Sequence, residues 1–338
     1  MTASASAGQD DALHAAAFYD SAESLRTRAV PYLREGLKRA ESVVVVTSNG
    51  VEQVLKSALG GDAERVHWQA VEVSYRRLGA MFEGFRQFLA DQRAAGAAMR
   101  LLTQSGGDGG PDRLAAYLRF EAMANEVYRP YGYQWACLYD KDAHPPEILR
   151  QVREVHPQVL EPGGRTIRST DYVPPGEFVA RGGPPAPIPP DVVEFDFELT
   201  GPGQLRTLRR LLNAWTASRG IDGDDADAVL IAVGEAVTSA LQHRAPQHRA
   251  PQHRDLQHGA PARVRAWTSG GTARVRIDAA SAAPIPATTG YHRPHTANDH
   301  DTGLWVARQL ADILTIHTDQ AGTTIELHFP LTTRQPAH

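Results

Sequence analysis

The stretch Asp224–His243, DDADAVLIAVGEAVTSALQH, decides how the chain is read. Asp224 serves as an N-cap, and Asp227 adds a carboxylate to the first turn, where negative charge complements the helix dipole. Val229, Val233, Val237 and Leu241 recur every four residues and predict an apolar seam. Glu235, Ser239 and His243 have the same spacing and therefore stack on another face of the helix. A carboxylate, a hydroxyl and an imidazole on one face can line a ligand site. The same spacing also describes a solvated polar face, and spacing alone leaves both readings open.

GEAVTSALQH, followed about sixty residues later by TGLWVARQLAD and then GTTIELHFP, resembles the GHKL-type ATPase domain. Within that group it is most similar to the anti-sigma-factor serine kinases, relatives of the histidine kinases. The resemblance implies a C-terminal α/β sandwich over residues 192–334, with helices on one face of a mixed sheet. It also implies a helix motif Glu-x-x-x-Asn-Ala-x-x-His, whose Glu acts as base or orients water and whose Asn ligates the phosphate-bridging Mg²⁺. Glu235, Ala240 and His243 match that motif, making Glu235 the catalytic candidate of an active enzyme. Ser239 stands at the Asn position, where a single hydroxyl on a shorter arm is a poorer Mg²⁺ ligand than a carboxamide.

The family's first glycine box, roughly Asp-x-Gly-x-Gly after a strand, corresponds to VRIDAASAAPIP at residues 275–286. With Val275 and Ile277 facing inward, the adenine position falls on Ala279. Asp278 serves only after a one-residue shift that reverses the strand's facing. Neither register restores a glycine. The second box reads Asp301-Thr302-Gly303-Leu304 and keeps Gly303 and Leu304, and Thr323 and Thr324 match the closing Gly-Thr-Thr. One lost adenine contact costs about 1–3 kcal/mol. Several together move micromolar affinity towards none. The expectation is a pseudo-ATPase that needs no cofactor. The alternative is an active serine kinase that uses Mg–ATP, with Ser239 as the metal ligand.

Ahead of this domain, residues 12–160 alternate between strand-like and helix-like pieces. Helices are predicted over 25–39 (with Pro31 marking a kink or a later start), 51–59, 78–92, 113–128 and 147–156. Strands are predicted over 42–47, 66–73, 99–103 and 134–139. Such βαβα alternation implies a doubly wound, mostly parallel sheet. Neither Gly-x-x-x-x-Gly-Lys nor Gly-x-Gly-x-x-Gly occurs in it, and the glycines at 106, 107, 109 and 110 read as a surface loop. HAAAFYDSAESL, VPYLREGLKRAESVVVVTS and YLRFEAMANEVY…YQWACLYD resemble the MEDS domain, a RecA-like sensory module. That resemblance implies recognition of a small molecule, with hydrocarbon derivatives as the class. It also implies His14, Tyr19, Glu121 and Asn125 as ligand candidates. Glu121 and Asn125 share a helix face by their spacing, which also fits a hydrogen-bond network tying the helix to the sheet.

The 338 residues fit two domains. Residues 1–11 read as a disordered tail. Residues 161–191 read as a linker, on the strength of seven prolines in the seventeen residues of PPGEFVARGGPPAPIPP. HRAPQHRAPQHRDLQHG is a low-complexity insertion at 243–260, spacing His243, His248, His253 and His258 five apart. His292, His295 and His300 read as solvated. A net charge of −4 gives no case for nucleic acid. No apolar run reaches the roughly twenty residues of a membrane span, so a cytoplasmic protein is expected. Cys137, the single cysteine, sits in apolar WACLY and reads as a buried, inert thiol. The expected partners are a sigma factor or an anti-anti-sigma (STAS) protein and a small-molecule ligand. A homodimer is compatible with the sequence.

Overall fold

The computed structural model describes residues 12–70, 77–104, 110–181, 189–243, 261–280, 284–296, 301–320 and 322–331. The expected tail, the glycines at 106–109, residues 182–188 of the proline-rich run, His248, His253, His258 and His300 lie outside the described residues. The chain divides into two compact units, one drawn from residues up to Phe178 and one chiefly from Val179 onward.

In the first unit the chain runs β1 (Leu13–Tyr19), α1 (Ala22–Lys38), β2 (Ser42–Thr47), α2 (Asn49–Leu59) and β3 (His67–Ala70). It continues through α3 (Leu78–Ala94), β4 (Met99–Gln104), α4 (Gly110–Val127), β5 (Gln134–Asp140), α5 (Pro146–Val155), β6 (Gln158–Leu160) and β7 (Thr166–Arg168). The sheet order is β3-β2-β4-β5-β1-β6-β7, and every neighbouring pair is parallel except β6 with β7. The doubly wound, mostly parallel sheet is therefore present.

Three departures from expectation have local causes. β1 lies inside the sheet although its sequence, LHAAAFY, is rich in alanine, a residue depleted in strands; two parallel neighbours override that weak preference. α1 starts before Leu25, because Ser21 and Ser24 form a reciprocal capping box, and it runs through Pro31. The linker does not begin at 161, since β7 pairs with β6 and Gly164 packs on α1. Gly164 has φ +75°, and a Cβ there would lie 2.9 Å from both Pro31 Cβ and the Tyr32 nitrogen.

Side-chain alternation gives the sheet two different faces. Ala15, Ala17 and Tyr19 of β1 join Val43, Val45, Leu102, Ala136 and Leu138 in a core shared with α1 and α2. The opposite positions, among them His14, Val44, Leu101, Trp135 and Cys137, point the other way.

The second unit contains β8 (Phe195–Leu199), α7 (Leu205–Ser218), α8 (Gly223–Gln242), β9 (Ala262–Ser269), β10 (Thr272–Ala279), α9 (Thr302–Leu310), β11 (Ile313–Asp319) and β12 (Gly322–Pro330). (The short α6, Pro175–Ala180, precedes it.) Its sheet order is β11-β12-β10-β9-β8, with every pairing antiparallel rather than mixed. The β9–β10 hairpin turns at Gly270 and Gly271, both at positive φ (56° and 74°), as a primed two-residue turn requires. Val229, Val233 and Val237 of α8 are fully buried against Val275, Ile277, Ile325 and Leu327. The N-cap of α8 is Asp222 rather than Asp224. α9 ends at Leu310, and Ile313 begins β11.

Candidate functional site

Four side chains of metal-binding type meet on the α4 side of the first sheet. His14 comes from β1, Cys137 from β5, Glu121 from α4, and His156 caps the C-terminus of α5. One donor atom from each lies within 4.8 Å of the others, and all four residues are buried. The parallel register that pairs His14 with Trp135 and Ala16 with Cys137 brings the two strands' side chains to one face.

Hydrogen bonds orient each group. Asn125 Nδ2 donates to the carbonyls of Ala122 (3.0 Å) and Val155 (2.8 Å), so Asn125 Oδ1 is left to accept from His14 Nδ1 at 3.0 Å. His14 Nε2 then carries its lone pair towards Cys137 Sγ, 3.5 Å away. His156 Nδ1 donates to the Val152 carbonyl at 2.8 Å, which turns its bare Nε2 inward. Tyr139 Oη donates to Glu121 Oε2, whereas Glu121 Oε1 and His156 Nε2 are buried with no hydrogen-bond partner, 3.9 Å apart. His14 also stacks on Trp135 with ring centroids 4.3 Å apart.

Burial sets the ionisation of this group. It lowers His14 to about 4 against the opposing Asn125 bond, and it drives His156 well down, helped by the neighbouring His14. It raises Glu121 to about 7 despite the Tyr139 donor and pushes the Cys137 thiol well up. The two imidazoles are thus neutral at pH 7 and available as ligands.

Beside the cluster lies a cavity of about 400 Å³ between α3, α4 and strands β2 to β5. Its walls are chiefly aromatic (Phe82, Phe85, Phe88, Phe120, Tyr128 and Trp135), and Glu121 is its carboxyl group. Three of the four expected ligand residues, His14, Glu121 and Asn125, are brought together in the polar cluster, and of these Glu121 lines the cavity. Tyr19 is not among them. It alternates to the α1 face and packs in that core, where burial and then Asp140 raise its phenol to about 12. Cys137 and His156 were not foreseen as ligands. The sequence signal was the alternation Trp135, Cys137, Tyr139, which puts a thiol among aromatics facing one way.

In the second unit, Glu235, Ser239 and Gly303 do converge. A Cβ on Gly303 would lie 2.8 Å from Ser239 Oγ and 3.0 Å from Glu235 Oε2. Ser239 is only 2% exposed and Leu304 is fully buried, while His243 is the C-cap of α8. On β10, Ala279 faces the core and Asp278 the opposite side, as the unshifted register has it. There Arg265 Nη2 (2.6 Å), Arg276 Nε (2.9 Å) and Thr324 Oγ1 (2.8 Å) all donate to it. Thr324 shares that outer face; Thr323, paired with Ala279, faces the core side and is 2% exposed. Arg308, which the sequence reading missed, is buried. It donates to the carbonyls of Ala287, Thr289 and Leu314 and lies over the Tyr291 ring, clamping residues 287–291 onto α9.

Comparison with known families agrees with this division. The model of the methanogen/methylotroph, DcmR sensory domain (MEDS) matches residues 13–157, and that of the histidine kinase-like ATPase domain matches residues 200–329. The chain joins a MEDS domain to a histidine kinase-like ATPase domain. Among solved structures it is similar to the RsbU and RsbW domains of a Mycobacterium tuberculosis protein, with 21% identity and a TM-score of 0.29. That match covers 40% of this chain and 31% of the other, so this chain spans under a third of its length. No curated protein matches the chain. The polar cluster and the aromatic cavity thus belong to the MEDS domain, and the Glu235–Ser239–Gly303 convergence to the ATPase-like domain. Among the described residues no helix is long and apolar enough to cross a membrane.

Proposed function

We propose that this chain is a cytoplasmic signalling regulator. Its MEDS domain binds a small, largely apolar molecule, and its ATPase-like domain acts by binding a protein partner of the sigma-factor or STAS class rather than by phosphorylating it. The observation that carries the reading is the aromatic cavity, whose volume of about 400 Å³ lies within the range of small-molecule sites. Among the described residues a single carboxyl, Glu121, stands among the aromatic walls, which suits an apolar ligand with one polar end. Binding there biases the partner interaction to the extent that the ligand prefers one state of the chain. The worn nucleotide site is supported by Asp278, committed to Arg265, Arg276 and Thr324 on the outer face, and by Ala279 at the inward position.

A second reading, the Mg–ATP-dependent serine kinase, draws on one observation: Glu235, Ser239 and Gly303 lie together as a phosphate site needs. Two titrations test the pair of readings. Toluene, as an apolar probe, is expected to raise the melting temperature of the full chain and to lose that effect in Phe85→Trp, which fills the cavity. Toluene without effect on the wild type removes the sensory half. Mg–ATP in the calorimeter is expected to give no heat at micromolar concentrations. Micromolar binding restores the kinase reading.

A further inference from the structure

We infer that His14, Glu121, Cys137 and His156 form a buried binding site for a divalent transition-metal ion of zinc's class. The ligands lie as far apart in sequence as residues 14 and 156 and come from four different elements, yet their donor atoms gather within 4.8 Å. The two histidines are held from behind in the tautomer a metal requires. Asn125 takes the Nδ1 proton of His14 and the Val152 carbonyl takes that of His156, leaving both Nε2 lone pairs aimed into the cluster. Tyr139 holds the far oxygen of Glu121 in the same manner.

A network of hydrogen bonds alone does not account for the group. Glu121 Oε1 and His156 Nε2 are buried without partners, and their 3.9 Å separation is too long for a hydrogen bond between them. A cation between them satisfies both. Tetrahedral zinc, with Zn–S about 2.3 Å and Zn–N about 2.1 Å, sets sulfur and nitrogen about 3.6 Å apart. Cys137 Sγ and His14 Nε2 stand 3.5 Å apart. The nitrogen–oxygen pair needs about 3.3 Å, about 0.6 Å less than its 3.9 Å separation, and donor atoms that stand up to 4.8 Å apart must draw in further on binding.

A thiolate with two imidazoles and a carboxylate selects zinc and its neighbours over magnesium or calcium. Four protein donors close the coordination shell, so the ion's role is structural: it ties β1, α4, β5 and the end of α5 together. Because Glu121 also lines the aromatic cavity, the ion fixes one wall of that cavity. The metal site stands on its own geometry and survives failure of the ligand reading above.

The test uses the full chain, expressed in zinc-poor, cobalt-supplemented medium. The chain has one cysteine, so a thiolate-to-cobalt charge-transfer band reports on this cluster and on no other site, the His-rich repeat included. The expected result is one cobalt per chain in the cluster, with that band and the intense visible bands of tetrahedral cobalt(II). Zinc should displace the cobalt with loss of both. Cys137→Ser should abolish the charge-transfer band. Asn125→Ala should keep it but weaken cobalt affinity about 10–100-fold, as loss of an outer hydrogen bond to a ligating histidine does. If Cys137→Ser does not fold, the wild-type band and the Asn125→Ala titration still decide. A folded wild-type chain showing no charge-transfer band, whatever cobalt its histidine repeat retains, overturns the proposal.

Discussion

Two helices present pairs of polar residues four apart, and the fold treats them in opposite ways. Glu121 and Asn125 on α4 meet β1, β5 and the end of α5, where three further polar groups converge on them. Glu235 and Ser239 on α8 meet the backbone of Gly303 at the start of α9, a contact so close that a methyl group would not fit. Equal spacing on a helix thus yields a four-donor cluster in one domain and a tight helix–helix contact in the other. What the facing element brings decides between them. A strand end with imidazole and thiol side chains builds chemistry, and a glycine brings only closeness.

The largest expected effect sharpens the first half of this contrast. Removing metal should lower the opening free energy of β1 and β5 by about 2.7 kcal/mol relative to chain held at free zinc one hundred times its Kd. Hydrogen exchange reads this, with β9, β10 and β12 as unmoved controls. Equal protection with and without chelator would break it. Next, Tyr139→Phe should weaken cobalt binding about 10–100-fold while keeping the thiolate band, because Glu121 loses its outer donor. Unchanged affinity would mean that Glu121 is not a ligand.

On the other side, Gly303→Ala should destabilise the second unit by about 1–3 kcal/mol in urea unfolding, since the new methyl meets Ser239 Oγ and Glu235 Oε2 within 3.0 Å. A neutral outcome would mean that α8 and α9 separate readily, as a site that opens for nucleotide requires. The smallest effect is expected of Asp278→Ala. It should cost below about 1 kcal/mol, because its ion pairs are part-exposed (29% for the Asp278 side chain), and it should leave any residual Mg–ATP heat unaltered. Loss of nucleotide binding in that variant would return Asp278 to the site.

Local periodicity decided a good deal by itself. SVVVVT had to be a strand buried on both faces, the Ser-Gly-Gly turn had to make a hairpin, and the βα alternation had to make a parallel sheet. The valine seam of α8 named its own buried face. In β10 the alternation already pointed Ala279 inward and Asp278 outward, and the structure follows it. These features depend on neighbours within a few residues, and the pattern of apolar side chains records them directly.

Tertiary structure decided the rest. LHAAAFY has no strong strand signature, and its place between β5 and β6 comes from backbone pairing with segments more than a hundred residues away. Only that pairing puts His14 beside Cys137, while the alternation of the strand so formed turns Tyr19, five residues on, to the opposite face. His156 follows a helix whose pattern says nothing of its partner, and Cys137 in WACLY is indistinguishable by sequence from an inert core thiol. A buried polar cluster is made by strand order and helix placement, which bring together residues whose local sequences carry no record of one another.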